Sequence, residues 1–335
     1  MPLPPVPPAR RWRVRALGSP EQALRLEPAP VRAPAAGEVV VRVAAVGLNV
    51  PDLLLCAGRY QERPPLPFSP GYEAAGTIAA AGPGTGAAIG ASVLVVPELP
   101  DGALQEYLTV PAAQVYPVPA SMPAADAAVL HIAYQTAHVA LHHRAGLRAG
   151  ETVLVTGAAG GVGSAAVQLA AAAGATVIGA VTGAAKAAAC RAAGARHVID
   201  LAAEPDPAAA VRAAAGGRGA DVIVDVVGGA GFEWVRRSIG FEGRIVLAGF
   251  TSGSFGAIAA NHVLLRNYAV LGVHLARYRQ ENPALLRGVH EALLAGYAAG
   301  AIRPLVYREL PFDQAPAGLA LIAAREVIGR VVLRC

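Results

Sequence analysis

A chain of 335 residues, 54% of them hydrophobic, is long enough for two domains with separate cores. A modest net charge of +5 and 5% aromatic residues argue against nucleic-acid binding. Three well-separated cysteines (Cys56, Cys190, Cys335) offer neither a disulfide framework nor a metal spacing, which fits a reducing, cytoplasmic setting.

In chain order, Met1-Pro-Leu-Pro-Pro-Val-Pro-Pro8 reads as a disordered, polyproline-like tail over residues 1–10, with no apolar stretch long enough for a signal peptide. Short strand patterns follow at 39–46, 76–80 and 92–96, punctuated by Pro and Gly, and predict a mostly-β unit over residues 1–122. A helix is predicted at 125–143. A strand at 153–156, a helix at 162–173 and a strand at 176–180 then form a βαβ unit. Further predicted elements are a helix at 207–215, a strand at 220–229, a helix at 232–238 and strands at 244–249 and 269–275. This alternation predicts an α/β fold, with a doubly wound parallel sheet over residues 123–275. A helix at 283–299 and a strand at 327–333 belong to a return segment, 276–335, that would complete the first domain. The run 152–185 carries no charge and would tempt a hydropathy window, but its glycines and strand–helix–strand pattern fit a sheet buried on both faces. No membrane association is expected.

The βαβ turn reads Ala158-x-Gly160-x-x-Gly163, a dinucleotide fingerprint with alanine in the first glycine position. Gly160, Gly161, Val162 and Gly163 would cradle a pyrophosphate against the helix N-terminus. An NAD site commonly carries an acid about 20 residues past the glycines. This chain has no acid between Glu151 and Asp200, and instead offers Thr182 and Lys186 after the second strand. A 2′-phosphate suits a cation there, so NADPH is the expected cofactor. Gly249 and Phe250 end the 244–249 strand and should lie near the nicotinamide ribose.

The chain resembles the zinc-free quinone oxidoreductase branch of the medium-chain dehydrogenase/reductase superfamily. The likeness covers nearly everything after Arg10. It is carried by Gly47-Leu-Asn-Val-Pro-Asp-Leu-Leu54, Gly58-Arg-Tyr60, Pro65-Leu-Pro-Phe-Ser-Pro-Gly-Tyr-Glu73-Ala-Ala-Gly76 and Tyr134-Gln-Thr-Ala137. Gly157-Ala-Ala-Gly-Gly-Val-Gly163, Asp225-Val-Val-Gly-Gly229, Gly243-Arg-Ile-Val and the terminal Gly329-Arg-Val-Val-Leu extend it. The resemblance implies a GroES-like catalytic domain, a Rossmann cofactor domain, a homodimer or homotetramer, and NADPH-dependent reduction of quinones or other activated double bonds. In zinc-dependent relatives a cysteine stands where this chain has Asn49 and a histidine where it has Tyr72, so no metal is expected.

Without a metal, a carbonyl or alkene must be polarised by hydrogen bonds. Asn49 offers an amide donor, and Tyr60 matches the tyrosine that related enoyl-thioester reductases are thought to use as proton donor; it reads equally as a packing residue. Asp52 reads as a cap of the following helical turn and Glu73 as a remnant of the metal site. Tyr134 and Thr136 match family positions at the nicotinamide end, and Leu54 and Phe250 are the expected apolar pocket wall. The leading reading is a flavin-free, NADPH-dependent quinone or enone reductase. An enoyl-thioester reductase is the alternative. A non-catalytic NADPH-binding protein of crystallin-like or RNA-binding duty is the reading from another class.

Overall fold

The computed structural model describes residues 9–335. Residues 1–8 of the expected tail lie outside these, and Arg10 stands within a strand. In chain order, β1 (Ala9–Val14), α1 (Pro20–Ala23), β2 (Leu24–Ala29), β3 (Glu38–Leu48) and α2 (Val50–Cys56) come first. They are followed by β4 (Ala74–Ala81), β5 (Ser92–Val95), β6 (Tyr107–Pro111), β7 (Val115–Pro117), α3 (Ala124–Ala127) and α4 (His131–His138). Then come β8 (Thr152–Thr156), α5 (Gly161–Ala172), β9 (Thr176–Val181), α6 (Ala184–Ala192), β10 (His197–Asp200) and α7 (Pro207–Ala214). Next are β11 (Ala220–Asp225), α8 (Phe232–Arg237), β12 (Ile239–Leu247), α9 (Ala260–Arg266) and β13 (Ala269–Gly272). The chain finishes with α10 (Leu275–Glu281), α11 (Pro283–Ala298), β14 (Val306–Pro311), α12 (Ala315–Ala323) and β15 (Arg330–Arg334).

The described residues form two units. The first joins residues up to 131 with 304–335, and the second spans 132–303. In the first, strands run in the order β14-β15-β3-β4-β5-β7, with β6 also on β3. β3 is valine-rich, and Val39, Val40, Val41, Val43 and Val46 are all buried, so consecutive side chains on both faces of this strand are covered. Its pairing with β4 contains two register shifts, bulges that bend the sheet. Gly76 is required where the strands approach, since a Cβ there would lie 2.0 Å from the Arg42 carbonyl oxygen. The register sets Val331 opposite Leu48 and Val46 opposite Ala74. Three segments distant in sequence, at Leu48–Asn49, Glu73 and Arg330, therefore meet at one end of the sheet.

The second unit is a fully parallel sheet in the order β10-β9-β8-β11-β12-β13. The chain winds outward from β8 in one direction and from β11 in the other, so the two strands flank a topological switch point, where such folds bind ligands. Leu154, Ile178, Ile223 and Ile245 are fully buried in its core. Together the two units are the GroES-like and Rossmann parts expected of the α/β fold.

Several elements differ from expectation. The predicted 125–143 helix is broken into α3, α4 and a π-helical segment, Val139–Arg144. Its break coincides with the passage of the chain from one unit to the next at 131/132. The division falls at 131/132 and 303/304 rather than at 122/123 and 275/276. Gln135 of α4 donates to the Leu286 carbonyl of α11 at 3.0 Å, and Gln168 of α5 bonds both ways with Arg303 (2.9 and 2.6 Å), which ties this later segment to the second unit. The expected 269–275 strand stops at Gly272, and Leu275 starts α10. β12 begins at Ile239, ahead of the expected 244, through an irregular pairing with β11. β10 and β14 carry no alternating pattern long enough to have been read.

Candidate active site

The glycine turn is built as its spacing requires. Gly157 leaves β8 with φ 57°, a left-handed conformation that glycine adopts freely. A Cβ on Gly163 would lie 2.1 Å from the Gly157 carbonyl oxygen, so α5 packs against the turn only with glycine there. At Gly160 the nearest atom would be that same oxygen at 3.3 Å. The Ser164 N–H makes the first helical bond, to Gly160 O at 2.8 Å. The N–H groups of Gly161, Val162 and Gly163 thus precede the helical ladder, at the positive end of the helix dipole. A diphosphate fits this cradle: it presents donors, no acid in the first turn, and no side chain in the way.

Asp225, buried at 1% exposure, fastens the two strands at the switch point. Its carboxylate accepts from the Thr156 hydroxyl (2.6 Å), Val227 N (3.1 Å) and Gly228 N, while Thr156 Oγ1 accepts from Val226 N at 3.0 Å. Gly249 follows β12, where a Cβ would sit 3.0 Å from Val226 O. Phe250 stacks on Phe255 with centroids 4.4 Å apart. Gly249 and Phe250 follow β12, two and three residues past its last residue, Leu247. Tyr134 is buried in α4, and the Thr136 hydroxyl donates to Ile132 O at 2.6 Å, a bond within its own helix.

At the outer end of the unit, Thr182 is exposed and Lys186 lies in the first turn of α6. An acid missed by linear reading also reaches this turn. Asp200, at the end of β10, accepts from Gly183 N (2.9 Å) and Ala202 N (3.1 Å), and these donors hold its pKa below the ordinary carboxylate value. Parallel pairing of β10 with β9 sets Asp200 opposite Val181, an adjacency that counting residues past the glycines does not reveal.

In the other unit, Asn49 lies at the junction of β3 and α2, with 6% exposure. Asp52 acts as the expected cap: one carboxylate oxygen accepts from Asn49 N at 2.8 Å and the other from Gly71 N at 2.9 Å. Burial pushes the Asp52 pKa up to about 7, against the pull of these two donors and of Arg330. Glu73 is fully buried and paired with Arg330, whose Nη2 stands 2.7 Å from Oε1 and whose Nε donates to Leu48 O at 3.0 Å. Glu73 is therefore part of a buried ion pair, and Arg330 is the member of this network that the linear reading missed. The Asn49 amide nitrogen bonds inward, to Gly47 O (3.1 Å) and Glu73 Oε1 (3.3 Å).

Tyr60 is half-buried and meets Tyr72 edge-on, with centroids 6.0 Å apart. Tyr72 is buried, and burial with its neighbours Tyr60, Glu62 and Asp52 pushes its pKa upward, so the phenol stays protonated. Leu54 is half-buried on α2. Among the described residues no group of three or more His, Cys, Asp or Glu is placed to hold a metal, and no helix is long and apolar enough to cross a membrane.

A chain that carries both a GroES-like unit and a Rossmann unit with a diphosphate cradle has a nicotinamide-dinucleotide oxidoreductase architecture. Residues 35–120 match the alcohol dehydrogenase GroES-like domain family, and residues 161–291 match the zinc-binding dehydrogenase family. Quinone oxidoreductase-like protein 2 of Bos taurus is 33% identical over 327 residues, covering 97% of this chain and 93% of its own. Its homolog in Nematostella vectensis is 35% identical over 299 residues, covering 88% of this chain and 81% of its own. The crystal structure of Escherichia coli quinone oxidoreductase complexed with NADPH superposes with a TM-score of 0.89 at 27% identity, covering 97% of this chain and 100% of that one. The chain belongs to the zinc-free quinone oxidoreductase branch of the medium-chain dehydrogenase/reductase superfamily, and it is an oxidoreductase of that kind.

Proposed function

We propose that this chain reduces a quinone or another α,β-unsaturated carbonyl with NADPH, by direct hydride transfer and without a metal. The observation that carries the reading is the glycine cradle at the switch point, with its backbone donors and the close approach at Gly163. NADPH, when bound, supplies a hydride from its nicotinamide ring. Gly160, Gly161, Val162 and Gly163 hold its diphosphate, and Thr182 and Lys186 meet the adenosine 2′-phosphate. Gly249, Phe250, Tyr134 and Thr136 bound the nicotinamide end, with Thr136 acting through its position and methyl, since its hydroxyl is already bonded. Leu54 of the GroES-like unit and Phe250 of the Rossmann unit are the apolar side chains offered to the acceptor. Tyr60, whose hydroxyl is borne by a half-buried ring, gives a hydrogen bond to the acceptor oxygen as charge develops there. Asn49 contacts the bound ligands. β13 closes one edge of the sheet, next to the exposed Leu264 and Leu265 of α9, which supports pairing with a second copy across that edge.

The test is initial-rate oxidation of NADPH, and of NADH in parallel, against an ortho-quinone, a simple enone and crotonyl-coenzyme A. Turnover of the quinone or enone, faster with NADPH, is expected. Preference for the thioester would install the enoyl-thioester reading. Tight NADPH binding with no turnover on any acceptor would install the non-catalytic one.

A further inference from the structure

The first two strands carry an arginine face that hydride transfer leaves unused. β1 pairs antiparallel with β2, and the register sets Arg11 opposite Glu27 and Arg13 opposite Arg25. Side chains alternate along a strand, so these four residues share one face of the ribbon, while Trp12, Val14 and Leu24 are buried on the other. Arg15, whose N–H still bonds Ala23 O at 3.0 Å, extends the row by one position.

This face is under-neutralised. Its carboxylate, Glu27, is taken by Arg15, whose Nε donates to Oε1 at 2.5 Å. That bond, joined by the charges of Arg15, Arg13 and Arg11, holds the Glu27 pKa below the ordinary carboxylate value against the effect of burial. Arg25 donates from Nη1 to the backbone carbonyls of Glu21 (3.0 Å) and Leu24 (2.7 Å), and Arg13 donates from Nη2 to Pro67 O. A carbonyl accepts a bond and cancels no charge. The Nε atoms of Arg11 and Arg13 are buried and have no hydrogen-bond partner among the described residues. Four guanidinium groups against one carboxylate leave an excess of three positive charges. Like charges directly opposite on paired strands, as Arg13 and Arg25 are, destabilise the pair, and a buried donor without an acceptor adds to that cost. An anion seated on this face would relieve both.

We propose that the β1–β2 face binds a small soluble ligand carrying closely spaced phosphate groups, with Arg11 and Arg13 as its inner donors and Arg15 and Arg25 at its rim. Guanidinium forks match phosphate oxygens two at a time. A multiply charged phosphate answers an excess of three, where a single carboxylate leaves most of it standing. Arg11 and Arg13 are half-buried, and Arg15 and Arg25 are exposed. A small anion can meet all four, whereas a flat bilayer meets the exposed pair first. The site lies wholly within the GroES-like unit, on residues that take no part in the glycine cradle, and it does not depend on the reaction catalysed.

The experiment is calorimetric titration of the full chain with inorganic pyrophosphate at low ionic strength, with NADPH saturating so that the cradle is filled. Saturable binding is expected. Arg11→Gln is the decisive variant, because the Arg11 Nε has no bond to lose on folding. It should keep the wild-type melting temperature and bind pyrophosphate about tenfold more weakly. Arg25→Gln should weaken binding as well, and Glu27→Gln, which removes the competing carboxylate, should tighten it. Arg277→Gln, at an exposed ion pair of the other unit, lowers the overall charge equally and should change nothing. No binding by the wild type overturns the proposal, as does an Arg11→Gln affinity equal to that of the wild type or to that of Arg277→Gln. Sedimentation with phosphatidylglycerol vesicles, without any binding of pyrophosphate, would overturn the soluble ligand in favour of a lipid headgroup. Should NADPH itself fail to bind, the reductase reading falls, and the variants still assign pyrophosphate to this face or remove it.

Discussion

Removing the cation at Arg330 loads the buried network of the GroES-like unit in a predictable way. Glu73 is fully buried, and Arg330→Met would take the cation away from its carboxylate while keeping the bond from the Asn49 amide at 3.3 Å. Breaking one side of a buried ion pair costs about 3–5 kcal/mol, because the other charge stays behind without compensation. The lost Nε bond to Leu48 O adds about 1 kcal/mol. Methionine keeps much of the apolar stem, so packing contributes little. The sum is about 4–6 kcal/mol, and at roughly 2–4 °C per kcal/mol the transition should fall by about 10–20 °C. Scanning calorimetry on the wild type and variant would measure it. The double variant Glu73→Gln, Arg330→Met buries no charge at either position and should recover more than half of the loss, a coupling expected of residues in contact. A fall of less than about 3 °C for Arg330→Met would refute the reasoning, as would a double variant no more stable than the single one.

Three further outcomes follow from the same geometry. Gly163→Ala sets a Cβ 2.1 Å from backbone, so it should lower the melting temperature and abolish NADPH binding; Gly160→Ala meets nothing nearer than 3.3 Å, so it should fold normally and still weaken binding about tenfold, read by fluorescence titration. Lys186→Ala should raise the Michaelis constant for NADPH and leave that for NADH nearly unchanged. Asp200→Asn, which keeps Oδ1 for both backbone N–H bonds and removes the charge, should lower the NADPH constant; equal effects on the two cofactors would remove both residues from the 2′-phosphate site. Burial, with His142 alongside, pulls the His138 pKa down to about 4. The folded state then binds fewer protons than the unfolded one between pH 6.5 and about 4, so this histidine costs stability as pH falls through that window. His138→Leu should narrow the difference in melting temperature between pH 7 and pH 4.5, roughly the span of that titration, and an unchanged difference would refute the assignment.

Much of the Rossmann unit could be read locally. Its strands are β-branched runs ended by glycine, the first turn of its first helix holds Gly163, where a Cβ would meet backbone at 2.1 Å, and α5 and β9 lie within a residue or so of expectation. The 125–143 segment misled because its helical pattern is continuous while the chain changes units within it. Asp200 was passed over for a related reason: it comes from the next strand, and a rule that counts along the chain does not register a neighbour across the sheet.

The catalytic unit shows the same division at a single residue. The Asn-x-x-Asp spacing at 49–52 dictated a helix start and its cap, because both bonds span only three residues. The polarity of the Asn49 amide was beyond the sequence. It depends on Glu73, 24 residues away on β4's leading edge, and on Arg330, a further 257 residues along. Only the antiparallel register of β15, β3 and β4 brings these groups together. Turn geometry, capping and strand propensity are short-range, so the chain by itself determined them. Which way the Asn49 amide turns depends on partners far along the chain, and the folded sheet decided it.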